Sequence, residues 1–132
     1  MRPAQNDVVW SRGQAVRKAA YDAYKRSPQW FARRQRWAEE WRRRANALWD
    51  GAAPQCAVCG RLWTLRDADL HHVTYDRLGA ERFDDLVPLC RPHHEALHHI
   101  YDSVPVWRTL GRSKATFGII AALKGSLERS GV

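Results

Sequence analysis

Three cysteines and six histidines, every one this chain has, fall between Cys56 and His99 in the order Cys-x-x-Cys, His-His, Cys-x-x-His-His, His-His. Thiolate and imidazole bind zinc and similar borderline metals well, so the segment reads first as metal chemistry. Two groups need separate accounts. Cys56, Cys59, Cys90 and His93 have the spacing of a closed, four-coordinate structural zinc site built from two short knuckles, and such a site serves folding. His71, His72, His94 and His98 are left over. His94 and His98 stand four residues apart, one helical turn, so their rings share a face and can share a metal. His71, from a facing strand, can add a third imidazole and leave positions open for water and substrate, the condition for a catalytic ion. His72 would point the other way in a regular strand. The strand end must therefore bring both histidines to one substrate group, His71 on the metal and His72 free. A free neutral imidazole, with an ordinary pKa of about 6.5, suits taking a proton from water.

The elements that must position these groups are also legible. Leu70-His71-His72-Val73-Thr74-Tyr75 has strand composition, Asp76 to Asp84 is a polar loop, and Leu86-Val87-Pro88-Leu89 is a short second strand whose proline implies an edge. Arg91-Pro92 opens a helix over about His93 to Asp102. Strand, strand and helix make a ββα unit. Upstream, residues 11–26 read as a short helix with Val16, Ala20 and Tyr24 on one stripe. Ser27-Pro28 then caps a second helix running to Trp49, where Asp50-Gly51 stops it. Trp30, Trp37, Trp41 and Leu48 recur along one side as the stripe that docks it. Arg33, Arg34, Arg36, Arg42, Arg43 and Arg44 surround that stripe and are the candidates for phosphate contact. A last helix is expected from Lys114 to Glu128, with Phe117, Ile120, Ala121 and Leu127 inward. The fold class is thus α+β in three segments: a basic Trp/Arg-rich helical arm over residues 1–55, a ββα metal core over 56–104, and a helical extension over 105–132. Residues 1–10 read as a loose leader.

The net charge of +8 over 132 residues is uneven. Residues 1–55 hold twelve Lys/Arg against five Asp/Glu, residues 56–100 five against seven, and residues 101–132 five against two. Basic arms around a slightly acidic, metal-rich centre fit a polyanion gripped at its phosphates while a cation sits between. The metal segment alone is too small to be stable without a staple. Three cysteines fit metal ligation in a reducing compartment better than disulfides. With neither a signal-peptide pattern nor a long apolar run, the expectation is a cytoplasmic protein with no membrane partner.

Taken together, Cys56-x-x-Cys59, Leu70-His71-His72-Val73-Thr74-Tyr75, Asp85-Leu86-Val87-Pro88-Leu89-Cys90-x-x-His93-His94 and His98 resemble the HNH (His-Asn-His) endonucleases, in particular the zinc-stapled members of phages and bacteria. The resemblance covers residues 56–99. It implies a ββα-metal (His-Me finger) fold and metal-dependent DNA cleavage, with His72 as general base and His71, His94 and His98 at a divalent cation. It also implies that Asp85 stands where the family has its middle asparagine, the residue that steadies the loop and orients the base. The family's second knuckle usually ends in cysteine; here His93 takes that place, an exchange zinc accepts. The catalytic ion implied is Mg²⁺ or Mn²⁺, with Ni²⁺ or Zn²⁺ also suited to imidazole ligands.

Two other readings stay open. One is a non-catalytic zinc module that binds nucleic acid, its second histidine group vestigial. The other is a zinc-stapled adaptor whose Trp-rich helix meets a protein partner, such as phage packaging machinery. His72 beside His71 favours the enzyme over the binder, and the arginine excess favours either over the adaptor.

Overall fold

A computed structural model describes residues 12–48 and 50–130. The expected leader and the expected helix end at Trp49 lie outside the described residues. Helices α1 (Arg12–Lys25) and α2 (Pro28–Leu48) come first, then strand β1 (Ala68–His72). A short 3₁₀ turn (Phe83–Asp85), strand β2 (Leu86–Cys90), helix α3 (Arg91–Ser103), the five-residue α4 (Pro105–Thr109) and α5 (Arg112–Arg129) complete the chain. The result is a mixed structure, mostly helical, around a small two-stranded antiparallel sheet. β1 and β2 pair in the register Ala68 opposite Cys90 and His72 opposite Leu86. Among the described residues no helix is long and apolar enough to cross a membrane.

The α1–α2 corner follows from its cap. The Ser27 hydroxyl accepts the Trp30 N–H at 3.1 Å and donates to the Tyr24 carbonyl at 2.6 Å, with Pro28 opening α2. α2 stops where Asp50 and Gly51 both take positive φ and the Gly51 N–H returns to the Ala45 carbonyl.

Strand alternation divides the core into two clusters. Ala68, Leu70 and Leu86 face α2, where Trp30, Trp37 and Trp63 are buried. Trp37, 1% exposed, stacks on Phe83 at 5.5 Å and meets Trp63 edge-on at 5.0 Å. The tryptophan stripe therefore does dock α2 on the sheet. The opposite face carries Val87 and Leu89 against Leu97 of α3 and Ile119 and Ile120 of α5, with Cys56, Val58 and Cys90 alongside.

Five expected inward positions are corrected. Leu48, at 69% exposed, lies beyond the part of α2 that the sheet covers. Val16 and Ala20 face solvent, because α1 rests on the sheet through Tyr21 and Tyr24 instead. On α5, Phe117 and Ala121 are exposed, and the stripe runs instead through Ala115, Ile119, Leu123 and Leu127, with Thr116 and Ile120 beside it. That stripe packs with Leu97, Val87 and Leu89, while α4, which the sequence pattern did not announce, lays Trp107 over Gly118. A Cβ there would come within 2.6 Å of the indole, so only glycine admits the contact. β1 also ends at His72 rather than Tyr75: the Val73 N–H still reaches the Asp85 carbonyl opposite it at 2.8 Å, but the Asp85 N–H turns back to the Arg82 carbonyl at 3.0 Å and the ladder stops there.

Candidate metal centre

The first knuckle is a tight turn in which the Gly60 N–H donates to the Cys56 carbonyl at 2.9 Å and Gly60 takes φ 74°. The second is the junction of β2 with α3, where Cys90 precedes the first turn and His93 lies within it. The four ligand atoms of Cys56, Cys59, Cys90 and His93 all lie within 4.8 Å of one another. Cys59 Sγ and Cys90 Sγ are 3.8 Å apart, and His93 Nδ1 is 3.8 Å from Cys56 Sγ and 3.2 Å from Cys90 Sγ. Tetrahedral zinc at ordinary bond lengths asks for about 3.8 Å between sulfurs and about 3.6 Å between sulfur and nitrogen. The residues fit the ion. Burial works against ionising Cys56, but the N–H groups of Cys59, Cys90 and Val58 and the His93 ring outweigh it and lower the thiol to about 6. Burial and the neighbouring thiols push Cys90 up to about 11. A metal is what makes several thiolates in one pocket compatible.

His71, His94 and His98 form the second cluster, with one ring nitrogen each within 4.8 Å of the others. His94 Nε2 and His98 Nε2 are 3.1 Å apart, close to the ~3.0–3.4 Å that two imidazoles on one ion require. The outer nitrogens are engaged. His94 Nδ1 meets Asp69 Oδ2 at 2.9 Å, and His71 Nε2 meets the Thr116 hydroxyl at 2.9 Å. This leaves His71 Nδ1 buried with no hydrogen-bond partner, an arrangement that a metal ligand explains and a packing residue does not. Burial first, and the Arg112 charge second, hold His71 well below the ordinary histidine range. Burial, His94 and Arg112 bring His98 to about 4. Both are neutral at pH 7, the form that binds metal.

His72 follows strand alternation to the other side, into the α1–α2 face. It is 1% exposed and lies against Trp30, ring centres 4.7 Å apart. Its Nε2 meets Glu81 Oε2 at 2.7 Å and its Nδ1 the Tyr21 hydroxyl at 3.4 Å. Burial lowers its pKa, and Glu81 opposes that only in part. A neutral ring that donates Nε2–H to a carboxylate keeps its lone pair on Nδ1, so Glu81 selects the tautomer. Glu81 is itself built in: Tyr24 donates to its Oε1 at 2.9 Å and Arg33 Nε to its carbonyl at 3.0 Å.

Several expected site residues stand elsewhere. Asp85 is not the partner of His72. Its carboxylate takes two hydrogen bonds from Arg77, at 2.8 and 2.6 Å, and one from the Arg82 N–H at 2.9 Å, so it braces the 73–85 loop. Arg33 is buried and also pairs with Glu40 at 2.9 Å; it is not at the surface for a phosphate. Arg34 donates to the Leu65 and Ala68 carbonyls and ties α2 to the start of β1. Arg36, Arg42, Arg43 and Arg44 are exposed, Arg42 paired with Glu39 and Arg44 lying 4.1 Å over the Phe83 ring. Glu81, Asp69, Thr116, Tyr21 and Arg112 carried no motif that marked them in the sequence. Asp69, two residues before His71 and so on its side of the strand, was the one with a readable signal.

No family model matches the chain, and no curated protein or solved structure is significantly similar to it.

Proposed function

We propose that the chain is a metal-dependent HNH-type endonuclease that hydrolyses DNA phosphodiester bonds on a ββα-metal core, β1 to α3. The observation that carries this reading is the junction at the end of β1. A three-imidazole cluster with a free buried nitrogen on His71 adjoins a histidine whose lone pair is fixed on Nδ1 by a buried carboxylate. A structural site alone has no use for that second arrangement.

In this reading a water replaces the long Tyr21 contact at His72 Nδ1. His72 takes its proton as the water oxygen attacks phosphorus and the bond to the leaving oxygen breaks. Glu81 holds the ring in place and stabilises the imidazolium that forms, the role a carboxylate plays behind a base histidine. His71, His94 and His98 would hold a divalent ion, which would supply charge relief at the phosphate and the leaving oxygen. Three imidazoles suit Mn²⁺, Ni²⁺ or Zn²⁺ better than Mg²⁺. The zinc of Cys56, Cys59, Cys90 and His93 takes no part beyond holding β2 and α3 at the first knuckle.

A second reading, a zinc module that binds nucleic acid without cutting it, draws on one observation: both ring nitrogens of His72 already have partners and the ring is almost wholly buried. Supercoiled plasmid separates the two. Incubated with the protein and each of Mg²⁺, Mn²⁺, Ni²⁺ and Zn²⁺, it should be nicked or linearised with at least one of them. His72→Gln, which keeps a donor for Glu81 but removes the base, should slow the reaction by about 10²–10⁴-fold. Plasmid bound but uncut with every ion leaves the binding module standing and overturns the nuclease.

A further inference from the structure

We infer that Arg112 and the three-histidine cluster together form a binding site for a phosphoryl group, with Arg112 as the residue that grips its oxygens. The inference rests on the proposed metal at His71, His94 and His98. Helix α5 presents Thr116 and Arg112 one turn apart on one face. Thr116 reaches the ring of His71 and Arg112 Nε donates to the His72 carbonyl at 2.9 Å, so the guanidinium sits at the end of β1 where the two histidines diverge. Its Cζ lies 4.2 Å from the centre of the Tyr75 ring and 5.7 Å from that of Tyr101. The two rings and the Nε hydrogen bond hold the fork in place. The NH2 end is enclosed and has no partner.

An enclosed guanidinium nitrogen with nothing to donate to is a costly arrangement unless a ligand supplies the acceptor. Its position makes the cost stranger. The guanidinium is bonded to the carbonyl of His72, next in sequence to His71, so its charge stands beside side chains that face a dication when the cluster is loaded. A cation beside a metal site is favourable when an anion lies between them and answers both. The acceptor must offer at least two oxygens, one for the ion and one for the fork, which is the geometry of a phosphoryl group. Asp69, the cluster's nearby carboxylate, is already engaged with His94 and Arg91 and does not fill this place.

The test uses the full chain with zinc in its cysteine site and one equivalent of Co²⁺ in the histidine cluster, read by visible absorption as inorganic phosphate is added. Phosphate should perturb the cobalt bands of the parent. Arg112→Gln should keep the phosphate-free spectrum and bind phosphate about 10–100-fold more weakly, the scale of a missing charge-assisted hydrogen bond. Arg112→Lys retains the charge and much of the packing and should fall in between, since an ammonium cannot fork. It also serves if the glutamine variant does not fold. Lys124→Ala, an exposed charge further along α5, should match the parent. Parental phosphate affinity in Arg112→Gln, or in Arg112→Lys should that variant alone fold, overturns the assignment, as does a cobalt-loaded parent that ignores phosphate. A short DNA duplex distinguishes the source of the phosphoryl group. Competition with phosphate at the cobalt identifies a nucleic-acid backbone. Phosphate binding that the duplex leaves untouched supports the Arg112 site for a small phosphate while removing DNA as its ligand, so the two proposals fail separately.

Discussion

Cys56, Cys59, Cys90 and His93 come from two local turns, joined where the Ala57 N–H donates to the Pro88 carbonyl of β2 at 2.9 Å. His71, His94 and His98 are held differently. Each of His71 and His94 leans on a further side chain, Thr116 from the far end of the chain and Asp69 from β1. The first cluster has the character of a staple, its geometry close to a tetrahedron and its surroundings apolar. The second is surrounded by hydrogen-bonded groups that orient rings and fix tautomers, with Arg112 and His72 at its edge. A site that only holds chain together has little need of those supports; a site that must present a ligand or a proton acceptor in one orientation does.

Removing a ligand from each cluster should break the comparison most sharply. Cys90→Ser should unfold the protein, because structural zinc binding of about 10–16 kcal/mol is comparable with the whole stability of a typical domain, about 5–15 kcal/mol. His94→Ala should keep the fold and one zinc per chain. Circular dichroism and elemental analysis decide both, and a folded, zinc-free Cys90→Ser would reverse the roles given to the clusters.

Next in size is the base. His72→Gln should slow plasmid cleavage by about 10²–10⁴-fold with the cobalt spectrum of the histidine cluster unchanged. Alanine is the poorer choice at this position, because it would leave Glu81 buried without its partner. Cleavage at the parental rate would move the proton acceptor elsewhere.

Asp69→Asn probes the supports. Metal affinity at the histidine cluster should fall about 10–100-fold, while zinc at the cysteines stays put; competition with a chelator measures each. An equal loss at both would mean that Asp69 serves the fold as a whole.

The basic surface of α2 should give a smaller effect. Arg42, Arg43 and Arg44 changed together to Ala should flatten the log–log salt dependence of DNA binding by about 2–3, roughly 0.9 for each phosphate left without its arginine. Fluorescence anisotropy across a salt series reads the slope. Arg33 and Arg34 should not be included, since their removal would loosen α2 from the sheet.

Smallest is Asp85→Asn. Arg77, first among its causes, keeps the Asp85 carboxyl below its ordinary range. A group lowered on folding adds stability above its unfolded pKa of about 3.9 and loses it as the pH falls through the folded value. The variant should thus be less stable than the parent at pH 7, and the gap should close toward pH 2 in urea titrations. A gap that stays constant with pH would mean that the carboxylate charge is not what braces the loop.

The sequence by itself determined which cysteines and histidines could share a metal and the elements beneath them. Cys-x-x-Cys and Cys-x-x-His each fit one turn, His94 and His98 are one helical turn apart, and Ser27-Pro28 caps a helix, all from local geometry that the chain carries wherever it folds. The tryptophan stripe was legible for the same reason: a period of 3.6 in large apolar residues needs a face to bury. Tertiary structure alone decided which polar groups stand behind the histidines. Glu81 and Asp85 are four residues apart in one acidic loop, and nothing local says which of them meets His72 and which meets Arg77. Arg33, Arg34 and Arg36 share one helix and one charge, yet the packing angle of α2 draws two of them inward and leaves the third in water. The facing of α5 belongs with these, because Ile119 and Ile120 are buried against Val87, Leu89 and Leu97. Those choices depend on partners distant in sequence, and a side chain's type carries no record of what will be packed against it.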